Sequence, residues 1–287
     1  MDERPRVGVL GGGQLGRMLI EASNRLNIQV DVLDKGYSPA KQIAAHDGHI
    51  DAAFTDADGI RKLANQCDVL TVEIEHVNTE VLEEVSSVVR VEPSWKTIRL
   101  IQDKWRQKEH LAAAGIALGE YEELKGNSAE ELEAVGQRMG FPLMLKSRTQ
   151  AYDGRGNYAV KTATQIHAAL EALRDRPLYA EKWVDFRMEL AVMVVKTKDG
   201  VLSFPTVELV SQDSICKLCY APARQVSQHI NEAAQKLAKA AVATFEGKGV
   251  YGVELFLTRD DTLLVNGTRP SVFLAATRRA TDHHGLL

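Results

Sequence analysis

The chain has 287 residues, of which 45% are hydrophobic and 26% are charged, and its formal net charge is -4. This length and ordinary composition predict two domains with substantial cores, and the charge gives no overall reason to expect nucleic acid or an anionic membrane as a partner. The longest apolar runs are too short for a membrane span, and the first residues lack the pattern of a secretory signal. A cytoplasmic location is therefore expected.

The first hundred residues alternate between short apolar runs and segments with helical periodicity. Strands are predicted at residues 6–10, 28–34, 51–54 and 69–74. A helix is predicted after the first strand and another at residues 58–65. This β-α-β alternation predicts a parallel sheet with helices on both faces.

The pattern changes after residues 100–115, beyond a helix predicted at residues 95–114. Ser128 and Glu131 form a capping-box pattern at the start of a helix predicted over residues 128–139. Further helices are predicted at residues 164–173 and 231–245. Strands are predicted at residues 141–146, 158–161, 179–183, 188–196, 203–207, 215–220, 251–258 and 262–266. This part is therefore expected to contain a mostly antiparallel sheet.

Residues 11–16 contain the spacing G-x-G-x-x-G between a predicted strand and a predicted helix. With Asp34 at the end of the next strand, this is the context of a dinucleotide fingerprint, in which Asp34 would bind the ribose of NAD. The alternative is a tight turn in which Gln14 and Arg17 hold a phosphate or sugar without a dinucleotide. Because nothing downstream resembles a hydride-transfer site, the alternative is favoured.

A second glycine-rich stretch, A-Y-D-G-R-G-N, occupies residues 151–157 between two predicted strands. Lys146 lies at its base, and Arg148 and Arg155 are close in sequence. Backbone N–H groups and cations in such a loop can close over a triphosphate. An ordinary hairpin turn at Asp-Gly is the alternative.

Three other features are considered as candidates for nucleotide binding or metal binding. The strand edge at residues 181–184 offers backbone groups for adenine, and Glu189 could bind ribose hydroxyls. Glu254, flanked by apolar residues, is either an exposed strand residue or a ligand of Mg²⁺. Cys216 and Cys219 form a C-x-x-C pair without a second pair of metal ligands, so they are interpreted as ordinary thiols.

Five motifs follow one another along the chain: V-G-V-L-G-G-G-Q-L-G-R-M (7–18), T-V-E-I-E-H-V (71–77), Y-D-G-R-G (152–156), A-E-K-W-V-D-F-R-M-E-L (180–190) and G-V-E-L-F (252–256). Together they resemble the N5-carboxyaminoimidazole ribonucleotide synthetase family, most closely its fungal form fused to a mutase domain. The resemblance covers about residues 5–266.

The resemblance implies an α/β fold, with a Rossmann-like pre-ATP-grasp domain at residues 1–108 and an α+β ATP-grasp domain at residues 109–266. Residues 267–287 are expected to be a divergent tail, and the family's C-terminal domain is expected to be missing. The implied reaction is the ATP- and bicarbonate-dependent carboxylation of 5-aminoimidazole ribonucleotide through carboxyphosphate, in purine biosynthesis. ATP, Mg²⁺ and bicarbonate are the implied cofactors and co-substrates, and a homodimer is the usual assembly.

The resemblance also implies site residues, grouped here by role. The catalytic residues would be Lys146 and Arg155. The ATP-binding residues would be Lys104, Lys146, Tyr152, Asp153, Gly154, Arg155, Gly156, Asn157, Glu181, Lys182, Trp183, Val184 and Glu189. The substrate-binding residues would be Gly13, Gln14, Leu15, Glu75, Tyr152 and Arg155. The metal ligands would be Glu254 and Asn266.

The chain departs from the family pattern after Asn266. Gly267 stands where the family has a second metal carboxylate, and the Asn-Ser-Gly-His segment that follows in the family is absent. Carboxylation is therefore expected to be impaired, while weak ATP binding persists. The alternatives are a non-catalytic nucleotide-binding isoform, another ATP-grasp ligase, and an NAD-dependent oxidoreductase.

Overall fold

The computed structural model of the chain describes residues 5–43, 46–149, 156–212 and 215–270. The predicted phosphate loop residues Tyr152, Asp153, Gly154 and Arg155 lie outside the described residues, as does the tail beyond residue 270.

The amino-terminal part is built on a parallel sheet, which confirms the prediction from the β-α-β alternation. In the order β3-β2-β1-β4-β5, its strands are β1 (Arg6–Leu10), β2 (Gln29–Asp34), β3 (Ile50–Asp51), β4 (Val69–Val72) and β5 (Arg90–Val91). The helices are α1 (Gln14–Arg25), α2 (Ala57–Ala64), α3 (Thr79–Val85) and α4 (Trp95–Gln102). Consecutive residues Val9 and Leu10 are both fully buried, as expected when helices cover both faces of a sheet.

The single helix predicted over residues 95–114 is wrong, because the chain forms two helices there. Asp103 adopts an extended conformation after α4 and begins α5 (Lys104–Ala113). Its carboxylate accepts hydrogen bonds from the backbone N–H groups of Trp105 and Arg106. An aspartate that caps the second helix is therefore the physical reason for the break.

A small antiparallel sheet follows, in the order β6-β9-β7-β8. Its strands are β6 (Tyr121–Leu124), β7 (Leu143–Ser147), β8 (Asn157–Val160) and β9 (Leu178–Lys182). Helices α6 (Ala129–Met139) and α7 (Ile166–Ala172) belong to the same region, and their apolar residues join one core with those of the sheet. The predicted N-cap is confirmed, since the Ser128 hydroxyl accepts a hydrogen bond from the Glu131 N–H.

The larger antiparallel sheet has the order β13-β12-β10-β14-β15, with β11 paired to β10. Its strands are β10 (Phe186–Lys196), β11 (Val201–Ser203), β12 (Val207–Gln212), β13 (Ile215–Tyr220), β14 (Gly249–Thr258) and β15 (Leu263–Pro270). The strand predicted at residues 203–207 is wrong: β11 ends at Ser203 and β12 begins at Val207. Pro205, which has no N–H to donate, lies between them.

Helix α8 (Gln228–Ala243) contributes one face to the core of this larger sheet. Ile230, Ala234, Ala238 and Ala241 recur at intervals of three or four residues and are buried, as the amphipathic pattern predicts. None of the helices in the described part of the chain combines the length and the apolar character needed to cross a bilayer.

Candidate active site

The first glycine loop, between β1 and α1, is occupied by carboxylates of the chain itself. Gly13 and Gly16 donate their backbone N–H groups to the Glu73 carboxylate, at 2.6 and 2.9 Å. Gly12 donates to Asp34, at 2.9 Å. Glu73 therefore holds the donors at the start of α1 that a dinucleotide phosphate would need. This arrangement disfavours the NAD interpretation, in which Asp34 would face a ribose.

A buried cluster of two lysines and one glutamate lies at the end of β7, the strand that precedes the second glycine stretch in the sequence. The Nζ of Lys146 on β7 is 2.9 Å from Oε2 of Glu181 on β9, and the Nζ of Lys108 on α5 is 3.1 Å from Oε1. Burial alone would raise the pKa of Glu181, but the two ammonium groups lower it to about 2. Burial lowers the pKa of Lys108, against the opposing effect of Glu181. The cluster therefore concentrates positive charge around one ionised carboxylate.

The same cluster reaches the larger sheet. The Lys146 Nζ lies 3.4 Å from the Asn266 side-chain oxygen on β15, so this lysine connects the small and the larger sheet across the space between them, here called the cleft. Lys146, Glu181 and Asn266, all predicted from the sequence, are brought together here. Lys108 is a further residue of this site that the sequence reasoning did not identify.

A second ion pair links the amino-terminal part to α5. The Nζ of Lys104 lies 3.5 Å from Oε1 of Glu75, and both side chains are largely buried. Burial would raise the pKa of Glu75, but Lys104 holds it below its usual value. Burial lowers the pKa of Lys104, although Glu75 acts in the opposite direction. Since Lys104 was predicted to bind ATP and Glu75 the substrate, the pair lies where the two predicted subsites would adjoin.

The predicted metal ligand Glu254 is bound to a cation of the chain. Glu254 on β14 faces Gly267 on β15, and Nη2 of Arg269 donates to Glu254 Oε1 at 2.6 Å. Across residues 5–43, 46–149, 156–212 and 215–270, no group of three or more His, Cys, Asp or Glu side chains is arranged to hold a metal ion. One carboxylate already neutralised by a guanidinium is a poor fit for Mg²⁺, which prefers carboxylate oxygens.

The remaining predicted residues lie on β9, on β10 or between these two strands. Lys182 forms an exposed ion pair with Glu120, and Trp183 is 43% exposed. Val184 follows β9 near Gly119, and Glu189 lies half-buried on β10 opposite Phe256 on β14.

The residues that flank the two glycine stretches are also described. Gly156, at a positive φ of 86°, accepts a hydrogen bond from the Ser147 N–H, and Asn157 pairs with Lys146 in the ladder. At the other loop, Gln14 and Leu15 begin α1 directly after Gly13. Cys216 and Cys219 on β13 are free thiols, and burial raises the pKa of both.

Two family models match successive parts of the chain. Residues 5–102 match the ribonucleotide synthetase preATP-grasp domain, and residues 109–273 match the ATP-grasp domain. The chain is also similar to carboxyaminoimidazole ribonucleotide synthase from Aspergillus clavatus, whose crystal structure was determined in complex with ATP. The identity is 62%, the TM-score is 0.91, and the match covers 93% of this chain and 70% of that one. The chain belongs to the N5-carboxyaminoimidazole ribonucleotide synthase family.

Two further members of this family illustrate the extent of the match. A second Aspergillus clavatus structure, in complex with ADP and 5-aminoimidazole ribonucleotide, is 60% identical with a TM-score of 0.90 and covers 94% of this chain and 70% of that one. Phosphoribosylaminoimidazole carboxylase of Schizosaccharomyces pombe is 52% identical over 94% of this chain and 49% of its own length. The chain therefore spans about half the length of such curated relatives, and its fold is that of the pre-ATP-grasp and ATP-grasp parts of the family.

Proposed function

We propose that this chain binds ATP in the cleft between its two antiparallel sheets and acts on 5-aminoimidazole ribonucleotide. In the proposed reaction, bicarbonate attacks the γ-phosphate of ATP and forms carboxyphosphate, and ADP leaves. The amino group of the ribonucleotide then takes up the carboxyl group, and phosphate is released. The observation that carries the proposal is the buried cluster of Lys146, Glu181 and Lys108, in a chain similar to relatives solved with ATP and with ADP.

The chemistry requires charge neutralisation and alignment more than a covalent nucleophile. Lys146 and Lys108 supply buried positive charge, and Glu181 fixes both ammonium groups in place. We propose that Lys146 contacts the transferred phosphate, and that the backbone around Lys182 to Val184 receives the adenine. Because carboxyphosphate is labile in water, closure of the cleft around it is part of the proposal.

We place the ribonucleotide on the amino-terminal side, near Gly13, Gln14 and Glu75. Glu75 touches Lys104, which lies on the same helix as Lys108, one turn earlier. This helix therefore connects the proposed substrate side with the proposed nucleotide side. Gln102 donates from its amide nitrogen to the backbone oxygens of Glu75 and Val77, both at 2.7 Å, and holds the Glu75 segment in position.

A second candidate function is nucleotide binding without turnover. It is favoured by the Arg269–Glu254 ion pair and by Gly267, which together leave the metal position of the family without its carboxylate pair. The proposal also includes the domain boundaries at residues 108/109 and 266/267 and the homodimer, which the resemblance implies. It includes the cytoplasmic location, which is expected from the sequence pattern of the first residues.

A bicarbonate-dependent ADP-release assay with 5-aminoimidazole ribonucleotide tests the proposed reaction. Release that requires both the ribonucleotide and bicarbonate would support it. Release that requires formate or an amino acid instead would indicate another ATP-grasp ligase. Thermal stabilisation by NADH, without stabilisation by ADP, would contradict nucleotide binding in the cleft.

A further inference from the structure

We propose that the Arg269 guanidinium takes the place of a divalent cation in this chain, so that the cleft binds metal-free nucleotide phosphates. This inference rests on the proposed function, because it concerns the same cleft. It concerns a residue to which neither the sequence motifs nor the family resemblance assigns a role.

The register of β14 and β15 places Arg269 on the side of the metal position. Glu254 pairs directly with Gly267 in the antiparallel ladder of β14 and β15. Arg269, two residues after Gly267, pairs with Gly252, two residues before Glu254. Side chains two residues apart share a face of a sheet. The guanidinium therefore reaches diagonally to Glu254, where its Nη2 lies 2.6 Å from the carboxylate oxygen.

Cations of the chain already face the metal position. Lys104 and Arg269 both lie within electrostatic reach of Glu75 and Glu254. Glu189, two residues from the strand partner of Glu254, is a further carboxylate on this face of the sheet. A divalent cation would be repelled by Lys104 and Arg269, and it would have to displace the guanidinium from Glu254. Gly267→Glu with Arg269→Ala would add one carboxylate and remove one cation, a change that favours Mg²⁺.

The guanidinium is also suited to the anion that the metal would have held. Arginine presents five N–H donors in a planar fork that matches phosphate oxygens, and it stays charged at all relevant pH values. It can therefore bridge Glu254 and a phosphate, as a bound cation would. Lys146, which contacts the neighbouring Asn266 at 3.4 Å, supplies a second cation to the same end of the cleft.

Position 267 allows the inference to be tested by restoring a carboxylate. Among the described residues, a Cβ atom added at Gly267 would contact the Gln107 side-chain oxygen, at 3.6 Å, which is ordinary van der Waals distance. Gly267→Glu therefore meets no clash at its Cβ, and Gly267→Glu with Arg269→Ala places two carboxylates at the paired positions 254 and 267.

The experiment is calorimetric titration of the full chain with ADP, in buffer containing EDTA and in buffer containing MgCl₂. For the unmodified chain we expect Kd values in the two buffers that agree within about twofold, and for Arg269→Ala in EDTA a Kd raised about tenfold, as for loss of one charged hydrogen bond. The double variant should bind ADP at least about tenfold more tightly in MgCl₂ than in EDTA. Arg61→Ala, which removes an ion pair of α2 with Glu84, is the matched control and should behave as the unmodified chain.

A second readout follows metal binding directly, by the electron paramagnetic resonance of Mn²⁺ without nucleotide. The double variant should gain a bound Mn²⁺ that the unmodified chain does not hold, and circular dichroism should show that both are folded. ADP binding by the unmodified chain that strengthens about tenfold or more with Mg²⁺ would overturn the inference alone. No ADP binding in either buffer would overturn the proposed function and the inference with it.

Discussion

Lys146 and Glu181 form a buried ion pair between adjacent strands, with the ammonium nitrogen 2.9 Å from the carboxylate. Lys108 contacts the other carboxylate oxygen, and Lys146 also contacts Asn266 on the opposite sheet. The Glu181 carboxylate therefore fixes two cations at the cleft, and one of them extends across it. This arrangement gives the cleft the positive charge that nucleotide phosphates require.

Replacing Lys146 with alanine should weaken nucleotide binding and stability together. We expect the Kd for ADP, measured by calorimetry, to rise about tenfold or more, because a charged contact to phosphate is lost. Lys108 remains to neutralise Glu181, so the free energy of unfolding in urea should fall by about 1–3 kcal/mol, less than for a fully broken buried pair.

Lys96→Ala is the control for this variant, since Lys96 forms an exposed ion pair with Glu246. Its effect on stability should stay below about 1 kcal/mol, with no effect on ADP binding. An unchanged ADP affinity in Lys146→Ala would show that this lysine does not contact the nucleotide.

Glu181 also makes the stability of the fold depend on pH in the acid range. Its pKa is lowered from 4.5 to about 2 in the folded chain, so between these values the unfolded chain binds more protons. The contribution of Glu181 is therefore complete above pH 4.5 and is lost as pH falls toward 2, with an upper limit of about 3 kcal/mol.

Urea unfolding at several pH values measures this dependence. Glu181→Gln should flatten the slope of the unfolding free energy between pH 4.5 and 2, relative to the unmodified chain. Glu246→Gln, which alters an exposed carboxylate paired with Lys96, is the control. Equal slopes for Glu181→Gln and the unmodified chain would contradict the assigned ion pairs.

The sequence predicted the large features of the fold because they depend on periodicity. The parallel sheet followed from strands separated by helical segments, and the N-cap of α6 followed from Ser128. The break at Asp103 was missed, because residues on both sides have helical character and only the capping hydrogen bonds end one helix and begin the next. The sequence predicted one strand at residues 203–207, where the structure has the end of β11 and the start of β12 with Pro205 between them. Most of β12 was therefore missed.

The site was predicted incompletely for a similar reason. Lys146 and Glu181 belong to motifs, but Lys108 lies in W-R-Q-K-E-H, where charged residues are common and nothing marks one as buried. Only packing against Glu181 distinguishes it. Glu73 and Glu75 are two residues apart in one motif, and Glu73 was not selected. The loop hydrogen bonds of Glu73 involve residues about sixty positions earlier, a relation that spacing cannot show.

Glu73 should control the anion affinity of the first glycine loop. In Glu73→Ala the N–H groups of Gly13 and Gly16 lose their acceptor, so the free energy of unfolding should fall by about 1–3 kcal/mol. The vacated start of α1 should then bind an anion. Sulfate should raise the melting temperature of Glu73→Ala more than that of the unmodified chain or of Glu84→Ala. Equal responses to sulfate would contradict the idea that Glu73 fills this anion position.

Gly267 should limit the rate of the proposed carboxylation. We expect ribonucleotide- and bicarbonate-dependent ADP release about 100-fold or more slower than that of the Aspergillus clavatus relative, because metal stabilisation of the phosphates is lost. Gly267→Glu alone should recover only part of the rate, since Arg269 still neutralises Glu254. A rate for the unmodified chain equal to that of the relative would contradict this expectation.

A crystal structure of the chain soaked with ADP tests the central claim most directly. We predict density for the diphosphate within hydrogen-bonding distance of the Lys146 ammonium, with the Gly13 and Gly16 N–H groups still bound to Glu73. Density for the nucleotide at the first glycine loop, with Glu73 displaced and the surroundings of Lys146 unchanged, would contradict the account.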